Sequence, residues 1–347
     1  MRTLLSEPFL FPPLKIGSLE FPHGLIQGPL AGYSCWPMRL LAQEYGQPAF
    51  CYTEMLSAKH LASVPLKDIQ KHVAPRFLIK HPDEGTLCVQ LSGTDPEELK
   101  TAIERILPFG ANLIDLNCGC PVAKIRQKGA GSKLLEDPKL LKKLVSAMKS
   151  VSPVPISIKI RIDQTLDTPI SQSLQAALAA EDAGVDFIAI HGRHWTESYE
   201  TPCRAADIRA ITEKLHIPVI ANGDAHDTES TVSLLKNTGA QGVMISRASV
   251  GQPWIFQKIL LEAQGKNFNT PSCHEIGDIF LRHLEDLISL EGEKIAILQS
   301  RKLIKYYARF LEHAPSSFQL LVEQSQHAEH YAEMKALVEK FFKVFKD

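Results

Sequence analysis

Apolar and polar positions along the chain sort into a repeating unit. Between residues 24 and 251, short apolar runs (GLIQGPLAG, AFCYTEM, LCVQLSG, NLIDLNCGC, PISIKIRI, DFIAIHGR, IPVIANGD and GVMISRA) alternate with amphipathic stretches. Most runs are rich in Val and Ile without a polar alternation, as expected of parallel strands buried on both faces. The stretches between them include DPEELKTAIERILPFG, DPKLLKKLVSAMKSV, SQSLQAALAAEDAG and DTESTVSLLKNTG. Several open on Asp or Ser and close on Gly, the start and stop chemistry of helices. Eight strand–helix units predict a closed (β/α)₈ TIM barrel, which takes about 250 residues. Residues before 24 fit a cap or hairpin under the barrel, and 57–85 is an insert longer than one helix, with an excursion such as RFLIK. Past about Phe256 only helical spacing remains, so a C-terminal all-helical domain is expected. The division falls at 1–262 and 263–347.

The chain has 347 residues, 44% hydrophobic and 22% charged, which excludes a disordered, collagen-like or coiled-coil protein. A net charge of -1 argues against a broadly basic nucleic-acid binder. Contact with RNA needs only a local cationic stripe, however, and basic residues cluster at 124–133 and 301–309. The N-terminal MRTLLSEPFLFPPLK is too broken for a signal-peptide core, and no run reaches 18 apolar residues. Seven scattered cysteines suit reduced thiols, so a cytoplasmic protein is expected.

In such a barrel the chemistry lies at the C-terminal ends of the strands. Here those ends carry Pro29-Leu30-Ala31, Glu54, Gln90, Asn117, Lys159, Arg161, His191-Gly192-Arg193, Asn222-Gly223-Asp224 and Ser246-Arg247. Cys120, between Gly119 and Pro121, sits on a tight exposed turn and could act as nucleophile, redox thiol or general acid, or be only a turn residue. With no histidine on its segment to activate it, the general-acid reading gains. Cys118 and Cys120 have no second pair at ligand spacing, so no metal is expected. Lys124, Arg126 and Lys128, followed by Gly129-Ala130-Gly131, suit a polyanion or form a solvated loop. Lys159 lies in an apolar strand and requires an anion: either a barrel carboxylate or a cofactor that becomes negative when reduced. The Asn222–Asp224 and Ser246-Arg247 turns follow the seventh and eighth strands, where such barrels hold phosphate. His191 reads as a hydrogen-bonded filler or a site residue, and Trp195 and Tyr199 as stacking rings or a cover over the mouth.

Taken together, GPLAG, TEM, VQLSG, LNCGCP with KGAGSKLL, KIRI, HGR, PVIANGD, MISRASVGQPWIF and SRKLIKYYARFL resemble the tRNA-dihydrouridine synthases, in particular their bacterial B-type subgroup. The resemblance runs from about Ile16 to about Pro315, and its GCP plus KGAGS segment is the specific part. It implies a flavoprotein that reduces the C5–C6 bond of tRNA uridines to 5,6-dihydrouridine, with bound FMN and NADPH as transient reductant. Pro29, Leu30, Ala31, Gln90, Lys159, His191, Asn222, Gly223, Asp224, Ser246 and Arg247 would contact FMN, with Lys159 stabilising the charge of its reduced form. Cys120 would donate a proton to the uracil. Asn117 and Arg193 would lie near the flavin or the flipped base. Lys124, Arg126, Lys128, Arg301, Lys302, Lys305 and Arg309 are the RNA-facing candidates, and a monomer is expected.

Three departures from the family pattern stand out: Cys35 for an aspartate, Ser246 and Ala248 for glycines around Arg247, and His194-Trp195 for a Thr-Arg pair. Two other functions compete: an FMN oxidoreductase on a small molecule of the dihydroorotate or enone type, and a tRNA-binding flavoprotein without turnover. The helical tail with Arg301, Lys302, Lys305 and Arg309 weighs against the first, and Cys120 against the second.

Overall fold

A computed structural model describes residues 11–163, 171–311 and 315–342. The segment weighed above as a leader falls mostly in 1–10, outside the described residues.

A hairpin of β1 (Leu14–Ile16) and β2 (Leu19–Phe21) precedes the barrel. The barrel strands are β3 (Leu25–Gln27), β4 (Cys51–Tyr52), β6 (Leu87–Ser92), β7 (Leu113–Cys118), β8 (Ile156–Arg161), β9 (Phe187–His191), β10 (Val219–Asn222) and β11 (Gly242–Ile245); β5 (Leu56–Ser57) adds a short pairing to β6. All pair in parallel, and β11 returns to β3 while β4 bridges β3 and β6, so the sheet closes on eight strands. Apart from Asn117 and Lys159, every residue of β6 to β11 is buried, as the unalternating runs require.

The main helices around it are α1 (Trp36–Gly46), α2 (Pro96–Ile106), α3 (Pro138–Val151), α4 (Gln172–Asp182), α5 (Ala205–Thr212), α6 (Thr228–Thr238) and α7 (Ile255–Glu262). Local chemistry sets their starts. Asp95 accepts from the N–H of Glu97 and Glu98, Asp137 from Leu140, and Asp227 forms a reciprocal capping box with Ser230. Between β5 and β6 the 57–85 insert folds into short helices, among them Ala58–Ser63 and Ala74–Phe77. The C-terminal part is α8 (Cys273–Glu291), α9 (Glu293–Ala308), α10 (Pro315–Ser325) and α11 (Tyr331–Phe342).

Three apolar clusters hold the molecule. One fills the barrel's interior, where Leu14, Ile16 and Phe21 of the hairpin meet Phe50, Tyr52, Phe187 and Met244, closing the lower end. A second lies between strands and outer helices. The third joins α8, α9 and α11 to Met38 and Leu41 of α1 and to Trp254, so the helical part packs on the barrel flank. Among the described residues no helix is long and apolar enough to cross a membrane.

Candidate active site

At the C-terminal ends of the strands opens a cleft of about 960 Å³. Every residue expected to touch a cofactor lines it: Pro29, Leu30, Ala31, Gln90, Lys159, His191, Asn222, Gly223, Asp224, Ser246 and Arg247. Asn117, Cys120, Arg193 and Arg309 line it too.

Cys120 is fixed from both sides of its peptide. Its N–H donates to Asn117 Oδ1 at 2.8 Å, and its carbonyl accepts from Ser132 N–H at 3.1 Å and Ser132 Oγ at 3.0 Å. Arg126 Nη1 in turn donates to that hydroxyl at 2.8 Å. Gly131 makes this closure possible: its φ is +63°, and a Cβ there would come within 2.7 Å of the Cys120 carbonyl oxygen. The close approach that this glycine permits is therefore to the cysteine turn. Lys124 and Lys128 are exposed and do not line the cleft. Arg126 is tied to Glu136 at 3.0 Å and lies 3.6 Å over the Trp195 ring.

On the adjacent strand Lys159 stands level with Asn117, and its Nζ donates a hydrogen bond to Asn222 Oδ1 at 2.9 Å. Burial, with the nearby Arg161 charge, lowers its ammonium to about 8. His191 is held neutral, pushed far down by burial and then by Lys159, Arg161, Arg193 and Arg247. Arg193 Nη1 lies 3.3 Å from His191 Nε2; a guanidinium only donates, so that nitrogen accepts and Nδ1 carries the hydrogen.

The turn after β10 is left-handed at both Gly223 (φ +133°) and Asp224 (φ +53°). A Cβ on Gly223 would meet Cys203 Sγ at 2.6 Å, so only glycine lets this backbone pass. Burial opposes ionisation of Asp224, but the Arg193 hydrogen bond at 2.5 Å, the Cys203 N–H at 2.8 Å and the Arg247 charge hold its carboxyl below the usual value. Arg247 stacks 4.0 Å from the exposed Tyr199 ring. Ser246, a departure from the family pattern, fits because Gly28 faces it: a Cβ there would lie 2.4 Å from Ser246 Oγ.

Sequence reasoning missed Met55, Tyr306 and Phe310 as cleft residues. The last two come from the end of α9 and the turn that follows it, where the basic residues draw attention away from the aromatics. Arg301 donates to the Ala328 carbonyl at 2.8 Å, while Lys302 and Lys305 are exposed. Arg309 donates to the carbonyls of Ala248 at 3.1 Å and Val250 at 3.3 Å, pinning the tail to the loop after β11.

The family model described as Dihydrouridine synthase (Dus) matches residues 26–346. A tRNA-dihydrouridine synthase B of Vibrio parahaemolyticus is 33% identical over 303 residues, 87% of this chain and 91% of that protein. Its counterpart in Pasteurella multocida is 31% identical over 308 residues, with 87% and 89% covered. Among solved structures, morphinone reductase superposes with a TM-score of 0.53 over 78% of this chain and 93% of that one, at 15% identity, a likeness of fold. By the extent of the family match and the identity and coverage of these relatives, the chain belongs to the dihydrouridine synthase family.

Proposed function

We propose that the protein reduces uridines of tRNA to 5,6-dihydrouridine, with FMN in the cleft, NADPH as reductant and Cys120 as proton donor. The observation that carries this reading is that Cys120, on the turn after β7, and Lys159, on the neighbouring β8, line one cleft. The residues fit a flavin mononucleotide. Lys159 keeps donors for an anion beyond its bond to Asn222, and Gly223 with Arg247 offers backbone and guanidinium donors to a phosphate. A cleft of about 960 Å³ leaves room for a base beside the ring system.

When bound, FMN reduced by NADPH would supply the hydride for C6 of the uracil. The chain's own residues do the rest. Lys159 holds positive charge at the cleft floor, where negative charge on the cofactor is stabilised. Pro29, Leu30, Ala31 and Gln90 line the cleft and would hold the ring system, and Cys120 would pass its thiol proton to C5. Residues 1–262 carry this chemistry, and 263–347 help grip the RNA. Lys124, Lys128, Lys302 and Lys305 are exposed and suited to phosphates, whereas Arg126, Arg193, Arg301 and Arg309 are engaged in internal contacts that shape the surface.

The test is incubation with NADPH and tRNA lacking dihydrouridine, followed by mass spectrometry of the nucleosides. Dihydrouridine is expected, and its absence from FMN-loaded protein with every tRNA tried would overturn the reading. Cys120→Ala should keep the yellow colour of bound flavin and lose turnover by a factor of about 10²–10⁴. Full activity in that variant would remove Cys120 from the mechanism.

A further inference from the structure

Below the cleft a buried carboxylate is joined to the cysteine turn by an unbroken line of hydrogen bonds. Asp115, on β7 and fully buried, accepts from Ser157 Oγ at 2.6 Å and from Gln90 Nε2 at 2.9 Å. Gln90 Oε1 accepts from Asn117 Nδ2 at 2.8 Å. Asn117 Oδ1 then accepts from the N–H of Gly119 at 3.2 Å and of Cys120 at 2.8 Å.

Elementary donor and acceptor rules dictate this pattern. An ionised carboxylate only accepts, so the Gln90 atom facing Asp115 is nitrogen and the other is oxygen. That oxygen requires a donor, which turns the Asn117 amide so that its own oxygen points at the peptide N–H groups. Peptide N–H groups only donate, so the far end demands the same orientation. Either amide reversed alone would set like against like in a buried place.

We propose that Asp115 is a positioning residue for Cys120: through Gln90 and Asn117 it fixes the amide polarity that holds the cysteine's peptide N–H, and with it the thiol. The catalytic meaning rests on Cys120 being the proton donor. The geometry does not, and the test reads the thiol directly.

The probe is iodoacetamide on FMN-loaded protein, with alkylation of Cys120 followed by peptide mass spectrometry. Asn117→Asp sets a carboxylate oxygen against Gln90 Oε1, and Gln90 cannot turn because Asp115 only accepts. Alkylation should rise roughly tenfold as the turn loosens. Asp115→Asn alone should change it by less than about twofold, since an amide there can accept from Gln90 and donate to Ser157. Together the two substitutions allow Gln90 to reverse, its oxygen accepting from position 115 and its nitrogen donating to position 117. The rate should then return toward that of the unaltered protein.

If Asn117→Asp alone does not fold, recovery of folded, flavin-binding protein in the double variant is the same rescue. Gln90→Met removes the middle link, and with it the rescue should vanish. Rescue that persists without Gln90 would show simple charge relief between positions 115 and 117 and overturn the proposal. So would an Asn117→Asp rate equal to that of the unaltered protein, or a double variant no better than Asn117→Asp. Loss of tRNA reduction in Cys120→Ala tests the donor role separately.

Discussion

The ammonium of Lys159 is enclosed by barrel walls that lower its pKa to about 8, against about 10.5 in an unfolded chain. At neutral pH folding therefore carries a charge into surroundings that oppose it. The unfolded chain binds more protons between those two values, so stability rises with pH from about 8 toward 10.5 as the folded state gives up its proton. Lys159→Met should stabilise the flavin-free protein at pH 7 by on the order of 1–3 kcal/mol, read as a higher melting temperature. The gain should shrink as pH climbs through that window, while FMN binding weakens. Thermal melts across pH and a flavin titration check both halves, and a variant that melts no higher at pH 7 would show that Asn222 and Asp115 already offset the penalty. Such a residue is legible in the chain: a lysine inside ISIKIRI requires an anion, either a barrel carboxylate or a cofactor. Cys120 is legible for a similar reason, being a small thiol between Gly and Pro just past a strand. Asp115 obeys the same logic as Lys159, an ionisable group between Ile114 and Leu116 in a buried strand, yet in NLIDLN the asparagines at either end of the run make one more polar residue look ordinary.

Strands and capped helices are readable element by element because their periodicity and caps are local. The 57–85 insert is not, for its helices are too short to show a period. Its use is long-range. Arg76 Nη2 donates to Glu54 Oε1 at 2.8 Å, and its Nη1 reaches Glu291 at the end of α8. Glu54 Oε2 accepts the N–H of Gly32 at 2.6 Å, directly after the cleft residues Pro29 to Ala31. One guanidinium thus joins the loop after β3, the loop after β4 and the helical tail. Arg76→Met leaves two largely buried carboxylates without their cation, and should cost about 2–4 kcal/mol in stability. It should also weaken FMN binding several-fold, because the Pro29–Gly32 segment loses its anchor. Unchanged flavin affinity in a destabilised variant would confine the tie to packing.

For the molecule as a whole, the closed barrel is legible from eight apolar runs at regular spacing. The separateness of the helical tail is where expectation and structure differ in emphasis. The spacing of the tail predicts an all-helical part but says nothing about its partners, since amphipathic faces do not name what covers them. Met38, Leu41 and Trp254 of the barrel side lie in the tail's own apolar cluster. Charge is similarly misleading in the aggregate: a net value of -1 hides exposed lysines at 124, 128, 302 and 305 that sit apart from the acidic residues balancing them.

At Gly251, with φ +68°, tail and barrel approach closely, for a Cβ there would lie 2.7 Å from the Tyr306 backbone. With Tyr306, Arg309 and Phe310 walling the cleft, the two parts share both a core and a binding site. Heating should therefore melt them as one cooperative unit, with flavin fluorescence released at the temperature where helical ellipticity is lost. A calorimetric trace with two peaks, the flavin surviving the first, would contradict that coupling. If a single peak is found, the RNA grip proposed for the tail and the flavin hold proposed for the barrel draw on one reservoir of stability, and neither can be loosened in evolution without weakening the other.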